Sequence, residues 1–262
     1  MSVEVLVATM NAKNFNILES LRIDSDVIIA NQADCFCYEE MNYRGHSAKM
    51  ITTATRGASL NRNIAIALSN ADILFICDDD ATLPDGYEDL IEKEFYEHPY
   101  ADAIKFFCVC TTPDAPLSLK RPTKFRAARR FEVFSAGIHA FAIKKSIVEK
   151  YDIRFMESIG AGKIHNCGED SIFLRDLIRN GIKVFLSTIQ IGTITRETST
   201  WFTGYNESYF INSGYVYSKL YGRLAILAAC RKAIKMKHNK KTDYSISDMI
   251  KYMYNGIREE RK

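Results

Sequence analysis

At 262 residues the chain is long enough to bury the core of one large domain, with or without an appendage. Its 47% hydrophobic and 26% charged residues are those of an ordinary soluble globular protein. A net charge of +3 excludes neither nucleic acid nor a membrane surface, so the distribution of charge says more than its total.

The seven cysteines are scattered, and Cys35/Cys37 and Cys108/Cys110 are spaced C-x-C, not as the C-x-x-C pairs of zinc sites. Cys77 and Cys230 lie in apolar runs, as small buried hydrophobes do. This usage points to a reduced, cytoplasmic setting. The chain opens directly into a strand without the features of a secretory signal, and no apolar run reaches transmembrane length.

Val3 to Thr9 is a strand by composition, and Met10-Asn11-Ala12 leaves it as a loop. Phe15 to Leu21 suits a short helix, and Asp26 to Ala30 is a second buried strand. The polar run Asn31-Gln32-Ala33-Asp34 follows at the same sheet edge. Met50 to Thr53 reads as a third strand. After Thr55-Arg56-Gly57, Leu60, Ile64, Ala67 and Leu68 recur at helical spacing and predict an apolar stripe, with Arg62 and Asn63 off it. Strand, helix, strand at these intervals predicts an α/β domain with a parallel sheet and helices on its faces.

Ile73 to Cys77 is a run of five apolar residues, the mark of a strand buried on both faces. Asp78, Asp79 and Asp80 follow it with no cation between them. Such a cluster repels itself unless a cation or a ligand's donors balance it, and this edge of an α/β sheet is where ligands bind. A divalent metal shared with phosphate oxygens answers the charge most simply; a solvated acidic turn before Pro84-Asp85-Gly86 is the plainer alternative. The first half of the domain runs to about Leu83.

Tyr87 to Glu97 is a helix stopped by His98-Pro99, and Ala103 to Val109 returns as a strand. Thr111 to Arg130 is irregular and basic, a lid or a solvated loop. Ile138 to Lys144 is a strand, with a short helix from Ser146. A glycine-rich loop from Gly160 then delivers Glu169 and Asp170 to the start of a helix, Ser171 to Arg179, that Asn180-Gly181 terminates. These acids either cap the helix or serve chemistry. His165 beside them is either structural or a metal ligand. Val184 to Leu186 and Ile189 to Thr195 are further strands. Trp201 either stacks on a sugar face or anchors the helices that follow. From Ser208 to Thr242 eight cations and no acid interleave with apolar residues, so this helical stretch is suited to an anionic bilayer or to solvent.

Together these residues resemble family 2 glycosyltransferases, inverting enzymes of the GT-A fold, and especially bacterial enzymes that build capsule and other surface polysaccharides. The likeness runs to about Tyr205 and rests on Arg56-Gly57-Ala58-Ser59-Leu60-Asn61-Arg62-Asn63, the Asp78-Asp79-Asp80 triplet and Gly168-Glu169-Asp170. It implies a Rossmann-like, nucleotide-binding mixed sheet flanked by helices over residues 1–205, divided near residue 83 into nucleotide and acceptor halves. Residues 206–262 would form a basic helical appendage.

The resemblance also implies roles. Asp80 and Asp78 would hold Mn²⁺ or Mg²⁺ against the diphosphate of a UDP-sugar donor, with Asp78 and Asp79 also near the donor. Arg62 and Arg56 would neutralise phosphate oxygens, while Thr9, Asn11 and Asp34 would sit by the base and ribose. Asp170 would be the general base, Glu169 its neighbour, and Trp201 an acceptor contact. The acceptor would be a glycan linked to polyprenyl diphosphate at the cytoplasmic face of a membrane, with no role for nucleic acid. Three rivals stand beside this reading. A haloacid dehalogenase-like phosphatase would use Asp78 as nucleophile, but its D-x-D-x-T normally ends the first strand. A pyrophosphorylase needs an early glycine-rich loop that Met10 to Phe15 lacks. A non-catalytic sugar-nucleotide-binding subunit would not need Asp170.

Overall fold

The computed structural model describes residues 1–111, 120–134, 137–195 and 204–259. In its first half β1 (Val3–Met10), α1 (Ile17–Leu21), β2 (Asp26–Gln32), β3 (Cys37–Tyr43), β4 (His46–Thr53), α2 (Ala58–Leu68) and β5 (Ile73–Asp78) follow one another. The middle contributes β6 (Ala81–Thr82), α3 (Tyr87–Glu97), β7 (Ala103–Cys110), β8 (Arg126–Ala127), α4 (Arg130–Val133), β9 (Phe141–Lys144) and α5 (Lys145–Lys150). Then come α6 (Glu169–Arg179), β10 (Val184–Ile194), α7 (Glu207–Tyr221), α8 (Ala225–His238) and α9 (Ile246–Glu259).

The strands form one mixed sheet in the order β3-β4-β2-β1-β5-β9-β7-β10-β6, with β8 paired to β10. The segment β4-β2-β1-β5 is parallel throughout: α1 carries the chain from β1 to β2 and α2 from β4 to β5, while β3, antiparallel to β4, lies between β2 and β4 in sequence. β9 departs from the parallel expectation and runs antiparallel to both β5 and β7. Between β7 and β9, among the described residues, only the short α4 is helical. The two strands expected at 184–195 are one, β10, whose pairing with β7 slips between Leu186 and Gln190.

Alternation along the strands sorts side chains onto two faces. Val3, Val5, Val7, Ile73, Phe75 and Cys77 join Leu18, Tyr87, Ile91 and Phe95 in one core, on the side of α1 and α3. Leu6, Leu74 and Ile76 face the other way and pack with Phe141, Phe173, Leu174 and Leu177, on the side of α6. Asp78 continues the second series, so parity alone points it toward α2 and α6.

Two further elements differ from the sequence expectation. β3 is almost wholly exposed, so it has no buried run to betray it, and it pairs with β4 through a tight turn at Arg44 and Gly45, both with positive φ. The predicted stripe on α2 is also wrong: Ala67 and Leu68 are exposed, and Ser59, Asn61 and Ala65 are the buried positions. The helix lies over strand ends whose carbonyls need donors, and its inward face is therefore polar. Asn61 Nδ2 donates to Thr9 O at 3.2 Å and Ala30 O at 2.9 Å, and Ser59 Oγ donates to Ile159 O at 2.7 Å.

The C-terminal helices have their own core, built from Phe210, Ala225, Ala229, Ala233, Met249, Met253 and Ile257. α7 and α9 cross with their backbones in contact, because Gly214 lies on the Met253 carbonyl and Gly256 on that of Ile211. Among the described residues no helix is long and apolar enough to cross a membrane.

Candidate active site

The glycine-rich loop docks on the start of α2. Ala58 N donates to Ala161 O at 3.2 Å, and the Lys163 side chain lies on Gly57, where a Cβ would fall 2.6 Å from Lys163 Cε. Gly57 N is held by Gln32 Oε1 at 2.7 Å. Gly168 has a φ of 108° and lies so near α7 that a Cβ would meet Val216 Cγ2 at 2.5 Å. Glycine is thus required there on two counts, conformation and space. The loop, α2 and α7 together fix where α6 begins, and with it Glu169 and Asp170.

Arg62 joins the two acidic stretches. Its Nη2 donates to Asp78 Oδ1 at 2.9 Å, and its Nη1 donates to Asp170 Oδ1 at 3.0 Å. Glu169 Oε1 stands 3.7 Å from the same Nη1. The guanidinium lies over the Phe155 ring, 5.3 Å from its centroid, and the Arg62 side chain is only 11% exposed. Asp170 Oδ2 accepts the Ile138 N–H at 3.2 Å, which fixes the carboxylate from a third direction. The strand that carries the triplet and the helix that carries Asp170, 108 residues further from Arg62 in sequence, therefore share one cluster.

Charge in this cluster is strongly perturbed. Burial pushes Glu169 up to about 7, with Asp170 adding to the shift and Arg62 opposing it. Burial likewise raises Asp170, against the pull of Arg62. For Arg62 burial works against the charge, yet Asp170, Asp78 and Glu169 outweigh it and raise its pKa. Such opposed shifts in neighbouring groups are more common at functional sites than elsewhere.

The other expected residues divide into two groups. Asp79 accepts the Thr9 hydroxyl at 2.7 Å, so these two are brought together, and burial raises the Asp79 pKa against that hydrogen bond. Asp34 pairs with Arg56 at the exposed edge beyond β2. Arg56 also donates to Ala33 O at 3.1 Å. Asn11 is exposed in a left-handed conformation, and its N–H donates to Gln32 O at 2.7 Å. Trp201 lies outside the described residues. His165 stacks on Tyr215 with centroids 3.7 Å apart and has Glu259 at 3.8 Å from Nε2. The described part of the basic loop is tethered: Arg121 Nε donates to Thr188 O at 3.0 Å, and Arg126 pairs twice with Glu132.

Several residues of the site escaped the sequence reading. Asn31 clamps the loop after β1 through Ala12 N at 3.0 Å and Ala12 O at 2.9 Å. Lys105 is buried, and its Nζ donates to His139 O in the turn that presents Ile138 to Asp170. Burial lowers Lys105 to about 8, while Cys108, Asp78 and Asp170 favour its charge. Strand parity could have found it, since Ala103 faces the α6 side and Ile104 and Phe106 face the other.

A metal is compatible with the triplet. Asp79 is turned to Thr9, while Asp78, held by Arg62, and Asp80 stand two residues apart at the end of β5. Mg²⁺ and Mn²⁺ commonly use such a pair when phosphate oxygens complete the shell. Among the described residues the compact group of three ligands is elsewhere, at Glu94, Glu97 and His98 by the end of α3 remote from the triplet.

Neither a family model nor a curated protein matches the sequence. Solved structures do match the fold. Residues 1–349 of S. aureus TarS superpose with a TM-score of 0.62 at 11% identity, over 99% of this chain and 92% of that one. The same protein in complex with UDP-GlcNAc gives a TM-score of 0.65 at 12% identity, over 99% and 93% of the two chains. Its complex with UDP gives 0.59 at 14% identity, over 100% and 71%. The mostly parallel sheet, the flanking helices and the helical C-terminal part are thus those of the GT-A fold.

Proposed function

We propose that the chain is an inverting, metal-dependent glycosyltransferase of family 2 type, moving a hexose from a UDP-sugar to a hydroxyl of a glycan. The observation that carries this reading is the Arg62 guanidinium held between Asp78 and Asp170. It supports a leaving-group cation and a base working in one cluster, as displacement at an anomeric carbon requires. The complexes of the similarly folded TarS with UDP-GlcNAc and UDP support a nucleotide-sugar donor.

In this reading Thr9, Asn11 and Asp34 line the nucleoside end, and Arg56 and Arg62 face the diphosphate. Asp78 and Asp80 would hold Mn²⁺ or Mg²⁺, whose charge offsets that of the departing diphosphate. Asp170 takes the proton of the acceptor hydroxyl as that oxygen bonds to the anomeric carbon, and the bond to UDP breaks on the opposite face. The raised pKa makes Asp170 a stronger base than an ordinary carboxylate once it is ionised. Burial sustains that shift, with the charge of Asp78 adding to it, and Glu169 stands beside Asp170 as its neighbour. Trp201 is assigned to the acceptor. The acid-free C-terminal stretch and the resemblance to surface-polysaccharide enzymes support a lipid-linked acceptor at the inner face of a bacterial membrane.

The test is UDP release from a panel of UDP-sugars with Asp170→Asn beside the parent chain. Transfer should fall by roughly two to four orders of magnitude while UDP still binds. Unaltered turnover would remove Asp170 from the base role. Chelation by EDTA should stop the reaction and Mn²⁺ restore it; full activity in chelator would remove the metal from the mechanism.

A further inference from the structure

α8 is amphipathic the wrong way round for a helix that only closes a core. Its buried positions are Ala225, Ala229, Ala233 and, in the last turn, Met236, while Leu227 and Ile234 point outward. Leu224 just before it is 62% exposed, Leu227 62% and Ile234 57%. With Arg231 these residues recur at i, i+3, i+7 and i+10, a single stripe along the helix. Small residues inside let α8 approach its neighbours closely, but they leave the larger apolar area facing water.

The stripe borders a groove of about 650 Å³ between α7 and α8, lined by Tyr217, Tyr221, Leu224, Leu227, Arg231 and Lys235, with Lys232 at its base. Lys232 Nζ donates to Tyr209 OH at 2.8 Å. Among the described residues no carboxylate forms an ion pair with Arg231, Lys232 or Lys235. The whole stretch from Ser208 to Thr242 contains no acid. The complement of this surface is therefore both anionic and apolar.

We infer that the α7–α8 groove and the outer stripe of α8 dock on an anionic phospholipid bilayer. Headgroup phosphates meet Arg231, Lys232 and Lys235, and acyl methylenes cover Leu224, Leu227 and Ile234. The groove reaches the acidic cluster through few contacts. Tyr221 packs edge-on against Phe134 at 6.5 Å, and the Phe134 carbonyl accepts the hydroxyl of Ser171, the neighbour of Asp170. Docking by this face brings Asp170 close to the lipid surface.

Sedimentation of the full chain with vesicles tests the inference, using phosphatidylcholine alone and phosphatidylcholine mixed with phosphatidylglycerol. Binding should require phosphatidylglycerol and weaken as salt is raised. Arg231→Gln with Lys235→Gln should weaken it roughly fivefold per charge removed. Leu224→Ser with Leu227→Ser should weaken it on the same vesicles even at low salt. All four positions are exposed, so the variants leave the helical core alone. Equal binding to both vesicles, or no loss in either double variant, overturns the inference. So does a dimer in solution that the double leucine variant dissolves, since a second copy would then cover the stripe. The assay contains no sugar nucleotide, so its result is independent of whether the chain transfers sugar.

Discussion

Glu169 and Asp170 occupy a place that disfavours charge, and the consequence is measurable without a substrate. The folded chain holds the Glu169 proton to about 7, well above its value in an unfolded chain. Between those two values the folded state binds more protons, so stability falls as pH rises through the window. Glu169→Gln removes the ionised, buried carboxylate. At pH 8 it should raise the unfolding free energy by on the order of 1 to 3 kcal/mol, and at pH 4 it should change little. Thermal melts at the two values check this; equal shifts at both would place the Glu169 pKa in the ordinary range.

Arg62 is the opposite case. Arg62→Met leaves three acids facing one another, and loss of one partner from a buried ion pair costs about 3 to 5 kcal/mol. The loss should be largest at pH 8 and shrink on acidification as Glu169 and Asp170 take up protons. A melt that drops equally at both values would mean the guanidinium acts by packing on Phe155 instead. The catalytic counterpart follows from the same shifts. The acidic limb of kcat/KM should lie above the usual carboxylate range and belong to the pair as a unit. The two acidic stretches were legible in sequence as acids after a buried strand and after a glycine-rich loop, each with a plainer reading beside it as a solvated turn or a helix cap. The role of Arg62 entered only through the family resemblance. Lys105 was not read: strand parity puts it on the α6 side, but what it does there shows only once the turn at His139 is beside it.

Among elements, those with strong periodic patterns were readable and those that answer to a neighbour were not. β5 and α3 appear at their expected places because five consecutive apolar residues, and a helix stopped by His98-Pro99, leave little choice. α2 misled the reading because its inward face serves the carbonyls of Thr9, Ala30 and Ile159, and hydrophobic spacing carries no record of that. β3 is an edge strand with no buried side, and its clearest mark is the Arg44-Gly45 turn. The α7–α9 crossing was equally hidden, though Gly214 and Gly256 now give it a test. A Cβ at Gly214 would fall within the Met253 carbonyl, so Gly214→Ala must push the helices apart. Overpacking of this kind typically costs about 1 to 3 kcal/mol, and a backbone with no side chain to yield belongs at the upper end. Gly45→Ala meets no atom within 4 Å and bears only the cost of its positive φ, about 1 kcal/mol. Denaturant melts should rank Gly214→Ala well below Gly45→Ala; the reverse order would mean α7 and α9 are not in backbone contact.

At the scale of the whole molecule the question is whether residues 206–262 are an appendage, as the sequence suggested, or part of what positions the site. Several contacts favour the second answer. Ile159 and Ile172 are buried together with Val216 of α7. Asn212 Nδ2 donates to Cys167 O at 3.2 Å and to Cys167 Sγ at 2.9 Å, and Tyr215 stacks on His165. Arg175 of α6 also donates to the Lys219 carbonyl at the far end of α7. All of these contacts fall on the glycine-rich loop or on α6, the two segments that deliver Glu169 and Asp170 to Arg62. A chain ending at Tyr205 would expose Ile159 and Ile172 and free the loop from the helix that Gly168 touches. Since loops without buried contacts open at little cost in free energy, Asp170 would lose its fixed place. The truncated chain should therefore be cut by protease between Met156 and Gly168, where the full chain resists. It should lose transfer to the same degree as Asp170→Asn, whereas UDP should still bind if the sheet alone holds the nucleoside. A truncated chain that keeps both protection and transfer would make the C-terminal helices a separate module, and their docking surface would then act without any hold on the catalytic cluster.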